Sequence, residues 1–180
     1  MTKGIQLIPL IPGIKNPEYW YPERPSQSDW RRIRKAVLER DKGRCRYCGH
    51  KGESHMHAHH LRAGDDDRLS NLVTCCGPCH VVQHIGLNLS FGLIEIWEGR
   101  VSQVTIIRET RKRVKKGMSL RAIKRYLVSR YGLKKGVYPV RSVEYANMLI
   151  PNRKSKAFSF SLPTRYKVIF IGIKRWNIEP

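Results

Sequence analysis

Acidic residues are what this sequence has least of. It carries 14 Asp and Glu against 35 Lys and Arg, a formal charge of +21. A surface so unbalanced repels itself unless polyanions or counterions neutralise it. The shortage is uneven. Residues 1–99 hold 11 acidic and 14 basic side chains, whereas residues 100–180 hold 3 acidic and 21 basic ones. Nucleic acid suits that balance, because phosphate contacts supply most sequence-independent affinity. An anionic membrane is disfavoured by a second absence: no apolar run approaches the roughly 18 residues of a spanning helix. Third, no secretory signal is visible, since Pro and Gly break the apolar start MTKGIQLIPLIPGIKNP. An intracellular, reducing location is therefore expected. Finally, neither Cys nor His occurs outside residues 45–84, although the chain has five and seven of them. In a reducing compartment such clustered cysteines are more often metal ligands than disulfides. There is no internal repeat and no long low-complexity tract.

What is present divides the chain into three. Five of the ten prolines lie in the first 25 residues, so residues 1–28 read as an extended arm, with Tyr19, Trp20 and Tyr21 docking on the body. Ser28 or Asp29 can cap a helix over about Trp30–Arg40, with Trp30, Ile33 and Val37 on one face. Met56–Leu61 reads as a short strand, 62–70 as a loop, and a helix starts near Gly77 or Pro78. Leu93–Trp97 and Val101–Ile107 read as a hairpin turning at Glu98-Gly99-Arg100. The charged run Arg111–Lys116 reads as a connector or an exposed helical turn. Ser119 caps a helix that Gly132 can stop, a second helix is predicted over about Val140–Leu149, and the last thirty residues carry two strands.

The cysteines form two knuckles. Cys45 and Cys48 bracket one CxxC turn, Cys76 and Cys79 another, and two such turns complete a tetrahedral structural zinc site. Cys75 is the spare thiol and the alternative to Cys76. A small domain with a thin core gains folding free energy from such a metal.

Between the knuckles lies His57-Ala58-His59-His60-Leu61, then Asn71-Leu72. The second knuckle runs into His80, with His84 four residues later, a helical spacing suited to joint metal binding. Phosphodiester hydrolysis needs a water, a base to deprotonate it and a cation to stabilise charge on phosphate. Adjacent strand residues point to opposite faces, so His59 and His60 can share one phosphate only where the strand twists or ends. His57 lies on the same strand face as His59. His50 and His55 read as loop residues. Asp65, Asp66 and Asp67 read first as a solvated loop and second as a hard-cation site.

From Trp30 to His84 the chain resembles the HNH, or ββα-metal, endonuclease family. The likeness is carried by VLERDKGRC, CRYCG, HHL, NL and CGPCH together. It implies that His59 binds the catalytic divalent cation, His60 is the general base, Asn71 positions the base through the loop, and His80 and His84 complete the metal set. The cation it implies is Mg2+ or Mn2+, with Zn2+ or Ni2+ as alternatives, and the products are 5′-phosphate and 3′-hydroxyl ends. The fold so implied is α+β: an HNH nuclease core at 29–92, stabilised by the four-cysteine zinc, followed by a basic α/β DNA-binding extension at 93–180.

Within the extension, Gly117–Ile123 resembles the opening of a resolvase-type helix-turn-helix, here spanning 117–150. The stretch LKKGVYPV before the second predicted helix is longer than a standard turn. The other reading is an amphipathic helix packed on the nuclease core. In either case Arg121, Lys124, Arg125 and Arg130 are the candidate phosphate contacts. DNA is thus the expected partner, and a homodimer on DNA is one route to a double-strand break. Homing and restriction enzymes both fit. A non-catalytic, zinc-stabilised nucleic-acid binder is the competing class, and RNA as the ligand is a third option.

Overall fold

The computed structural model describes residues 5–15, 25–52, 54–62, 66–136, 159–174 and 176. Over these residues the chain mixes helices with small sheets. The predicted helix at Val140–Leu149 and the aromatic run Tyr19–Tyr21 lie outside them, as do most of the residues of a second helix-turn-helix element.

The first strand, β1 (Gly13–Lys15), belongs to the arm and pairs antiparallel with β6 (Ser159–Ser161). Ile14 is fully buried, so the arm is part of the body at this point. Helix α1 (Gln27–Arg40) starts earlier than its apolar pattern suggests. Its cap is Ser26, not Ser28 or Asp29: the Ser26 hydroxyl accepts from the Asp29 N–H. Asp29 falls instead in the first turn, where its charge suits the positive helix end. Val37 is buried, and Trp30 and Ile33 pack with it against Ala58 and Leu72.

Helix α1 covers a hairpin of β2 (Met56–His60) and β3 (Leu72–Cys76), antiparallel with His59 opposite Val73 and His60 opposite Leu72. Asp41 bolts the two layers together. Its buried carboxylate accepts from the Thr74 N–H at 2.7 Å and pairs with Arg40 at 2.9 Å and Arg46 at 3.3 Å. Burial pushes this carboxyl up, but the hydrogen bonds from Arg40 and Thr74 outweigh it and hold the pKa below its ordinary value. A depressed carboxyl stabilises the fold above its unfolded pKa and loses that contribution as pH falls through the folded one. Asp41→Asn is expected to cost roughly 2–4 kcal/mol at pH 7, since it strands two partly buried guanidinium groups. Urea unfolding at pH 7 and pH 3 checks this: the gap between wild type and variant should narrow in acid, and a gap independent of pH would refute the assignment.

Helix α2 (Gly77–Gln83) follows β3 directly, with Cys76 at its cap, and α3 (Ile85–Ser90) follows after a break at His84. Strand β4 (Ile94–Glu98) is the centre of a three-stranded sheet in the order β5-β4-β7. The expected hairpin of Leu93–Trp97 with Val101–Ile107 does not form. The partners of β4 are β5 (Lys134–Lys135) and β7 (Tyr166–Phe170). Residues 103–107 open helix α4 (Gln103–Lys115), which continues through most of the charged run, so of the two readings of that run, connector or helical turn, the helical one holds. The apolar, β-branched residues of VSQVTII favour a strand locally. Tertiary contacts reverse that. The Ser102 hydroxyl caps the Thr105 N–H, and the Gln103 amide exchanges two hydrogen bonds with the Val168 backbone on β7. Ile106, Ile107 and Thr110 then face the core.

Helix α5 (Leu120–Tyr131) forms as its pattern predicts. Ser119 caps it, and Gly132 ends it at φ 57°, a conformation only glycine adopts without cost. Ile123 and Leu127 are buried, so α5 is an amphipathic helix packed on the core. One apolar cluster runs through Cys45, Val73, Val82 and Ile85 into Ile107, Leu127, Val168 and Phe170. The core is therefore continuous across residue 93. Among the described residues no helix is long and apolar enough to cross a membrane.

Candidate metal centres

Two clusters of ligand-type side chains sit on either side of α2. The first is built from the knuckles. Cys45–Cys48 turns back so that the Gly49 N–H reaches the Cys45 carbonyl at 2.9 Å, and Gly49 takes φ 76° to do so. Cys76 lies at the end of β3 and Cys79 in the first turn of α2. All four are buried, and their sulfurs lie within 4.8 Å of one another. The Cys48 and Cys76 sulfurs are 3.6 Å apart. A tetrahedral zinc with Zn–S of about 2.3 Å implies edges of about 3.8 Å, so the sulfur arrangement fits that ion. Cys75 is buried as well, but its thiol donates to the Cys76 carbonyl and it is not one of the four. The CxxC spacing thus picks the right neighbour.

The electrostatics favour a dication. Hydrogen bonds from Cys48, then Cys75, Cys76 and Cys79, pull the Cys45 thiol far down. Burial pushes Cys79 up, and the hydrogen bond to Cys45 does the same to Cys76. Protein alone holds only part of the set as thiolate; a bound dication would favour all four. Sequence reasoning missed a further partner. Arg111, from the supposed connector, donates to the Cys76 sulfur at 3.3 Å and approaches that of Cys48 at 4.0 Å. Burial pushes its guanidinium pKa down, but the Cys76 and Cys48 charges more than restore it. Arg108 also donates to the Cys48 carbonyl at 2.9 Å. Helix α4 therefore braces the zinc knuckle with cations, an interaction no local spacing can reveal.

The second cluster is imidazole. His59 is almost fully buried on β2, His80 is on α2, and His84 sits just past its end, at the cap rather than within the helix. One ring nitrogen from each lies within 4.8 Å of the others. The His80 and His84 rings are 4.4 Å apart, and His57 stacks on His80 at 4.6 Å from the same strand face as His59. Burial first, then the neighbouring charges, lowers the pKa of His59 and of His80 well below the ordinary value. Both are held as neutral imidazoles, the form that binds metal.

His60 stands apart from that set. Strand β2 ends at His60, but the two rings diverge rather than converge. His59 turns to His80 and His84, whereas His60 stacks on Trp30 at 5.8 Å. The His60 Nε2 lies 2.7 Å from Asp67 Oδ1. The loop carboxylates therefore have assigned jobs. Asp66 pairs with Arg68, and Asp67 holds His60. Asp65 falls outside the described residues. Asn71 ties this loop shut: its side chain accepts from the Arg62 N–H and donates to the Asp66 carbonyl. Lys15, unremarked in the sequence, is buried beside the site and donates to the His60 carbonyl at 3.3 Å. Burial lowers its pKa to about 7.

No protein-family model matches this chain, and no curated protein does. Its functional reading rests on these residues.

Of the candidate phosphate contacts on α5, Arg121, Arg125 and Arg130 are exposed. Lys124 is half-buried and committed to Glu95 at 3.0 Å, which removes it from the free cations.

Proposed function

We propose that this protein is a metal-dependent endonuclease of the HNH type that hydrolyses DNA phosphodiester bonds. The observation that carries the reading is the closeness of His59, His80 and His84, with His60 and its Asp67 partner next in the chain to one of them. A pure binder needs neither the triad nor a carboxylate-held histidine beside it.

The roles follow from the contacts. Asp67 accepts from the Nε2–H of His60, which leaves Nδ1 with its lone pair. His60 Nδ1 then removes a proton from water as the water oxygen attacks phosphorus. The bond from phosphorus to the 3′-oxygen breaks, giving a 5′-phosphate and a 3′-hydroxyl. Trp30 fixes the His60 ring by stacking, and Asn71 holds the loop that presents Asp67. A divalent cation held by His59, His80 and His84 would stabilise charge on the phosphoryl and departing oxygens. Three imidazoles suit Mn2+, Ni2+ or Zn2+ better than Mg2+, which prefers oxygen ligands. DNA would be gathered by the excess positive charge, with Arg121, Arg125 and Arg130 among its contacts.

Nicking of supercoiled plasmid tests this. Activity should require a divalent cation, disappear with chelator and return on adding Mn2+ or Ni2+, with Mg2+ the poorer substitute. Folded, metal-loaded protein that binds DNA yet cuts neither DNA nor RNA would leave the second reading, a zinc-stabilised nucleic-acid binder. That reading is favoured by the four-cysteine cluster and the charge alone.

A further inference from the structure

A cavity of about 460 Å³ opens between the arm and the three-stranded sheet, away from both histidine and cysteine clusters. Leu10 and Pro12 form part of its apolar wall. Its polar lining is cationic: Arg100 from the turn after β4, Arg165 from the turn before β7, and Lys167 on β7. Lys167 is 5% exposed, yet its ammonium meets only the Thr164 carbonyl among the described residues. Among the described residues no carboxylate forms an ion pair with any of the three, although the Glu98 charge acts on Arg165 from farther off. The Arg165 guanidinium lies over the Tyr166 ring at 4.9 Å and donates to its hydroxyl at 3.2 Å. A buried ammonium without a counter-charge is costly, and an anion would offset that cost. The first turn of α4 also faces the cavity through Ser102, adding its positive end.

We infer that this cavity binds a backbone phosphate of nucleic acid, through Arg100, Arg165 and Lys167, and so clamps the strand. The commitment to a polymer rests on charge: the lining is cationic and the chain carries a formal charge of +21, and phosphate contacts supply most sequence-independent affinity for nucleic acid. The inference rests on nucleic acid being the partner, not on its being cut.

Fluorescence anisotropy of a labelled duplex, read in chelator so that no cleavage occurs, tests it. The variant is Arg100→Gln with Arg165→Gln, two exposed side chains. Its control is Lys112→Gln with Lys116→Gln, at the far end of α4, about 18 Å along the helix. The cavity pair should weaken binding about 10-fold and flatten the slope of log K against log[salt] by about 0.9, the value for one phosphate contact. The control pair should change both by much less. Equal losses in the two variants would overturn the site, because net charge alone would then explain them. Tight binding of inorganic phosphate or a mononucleotide that leaves duplex affinity untouched would overturn the polymer as its ligand. A protein that passes this test but never nicks plasmid would sink the nuclease reading and leave the clamp standing.

Discussion

A protein carrying His60→Ala is expected to fold, bind DNA as tightly as wild type, and lose about 10²–10⁴-fold in cleavage rate, the range a positioned general base contributes. The size follows from what His60 touches. Its ring packs on Trp30 and its Nε2 faces Asp67, but it donates nothing to the histidine triad. Removing it leaves His59, His80 and His84 as they are and deletes only the proton acceptor. The cost to stability is a ring stack of about 0.5–1.5 kcal/mol, too little to unfold the chain. Asp67→Asn should act in the same direction with smaller effect, because it leaves the base in place and removes what orients it. Single-turnover cleavage at saturating DNA isolates the chemical step, and anisotropy on the same samples confirms binding. Unchanged single-turnover rates in His60→Ala would take His60 out of the chemistry. A rate restored by raising cation concentration would instead make it a metal ligand.

The second large effect belongs to the cysteines. Cys45→Ser or Cys76→Ala is expected to abolish zinc binding and with it the folded state of the knuckle region. Structural zinc sites contribute on the order of 10–16 kcal/mol in small domains, more than the whole stability of a typical domain. The four sulfurs lie within the main apolar cluster, and all four sit on elements that carry or flank the site: the first knuckle, β3 and α2. Their loss should therefore spread to the histidine triad. Cys75→Ala is the internal control. Cys75 is just as buried, but its thiol meets a carbonyl, so its removal should keep one zinc per chain and cost about 1 kcal/mol. Zinc content by mass spectrometry and thermal melting separate the two outcomes. Zinc retained in Cys76→Ala and lost in Cys75→Ala would reassign the fourth ligand.

Much of the site was legible in one dimension. Two CxxC turns, a histidine pair on a strand ending there and a histidine spacing of four are all short-range patterns. Short-range geometry needs no knowledge of the rest of the chain. The caps at Ser119 and Gly132 and the strands β2 and β7 are legible for the same reason, whereas β3 carries no alternating pattern that marks it as a strand. Ser26 escaped because three candidate caps stand within four residues, and only the hydrogen bond to Asp29 N chooses among them. The segment 101–107 was misread because its intrinsic preference and its environment disagree. Gln103, polar in a window read as strand, is what commits it to a helix by bonding to β7, 65 residues away in sequence. Lys124 looked like a free phosphate contact until Glu95 was seen beside it.

The sequence by itself determined the chemistry available: which side chains cluster, which cysteines can share an ion, and that the back half carries nearly all the excess positive charge. Each of those depends on residue type and on spacing of a few positions. Only the tertiary structure decided how the chemistry is apportioned. It set Asp67 on His60, turned His59 away from its neighbour, brought Arg111 to the cysteine sulfurs, buried Lys15 against the end of β2, and gathered Arg100, Arg165 and Lys167 around one cavity. These pairings are set by packing between distant elements, where burial removes water and makes a charge's partner matter most.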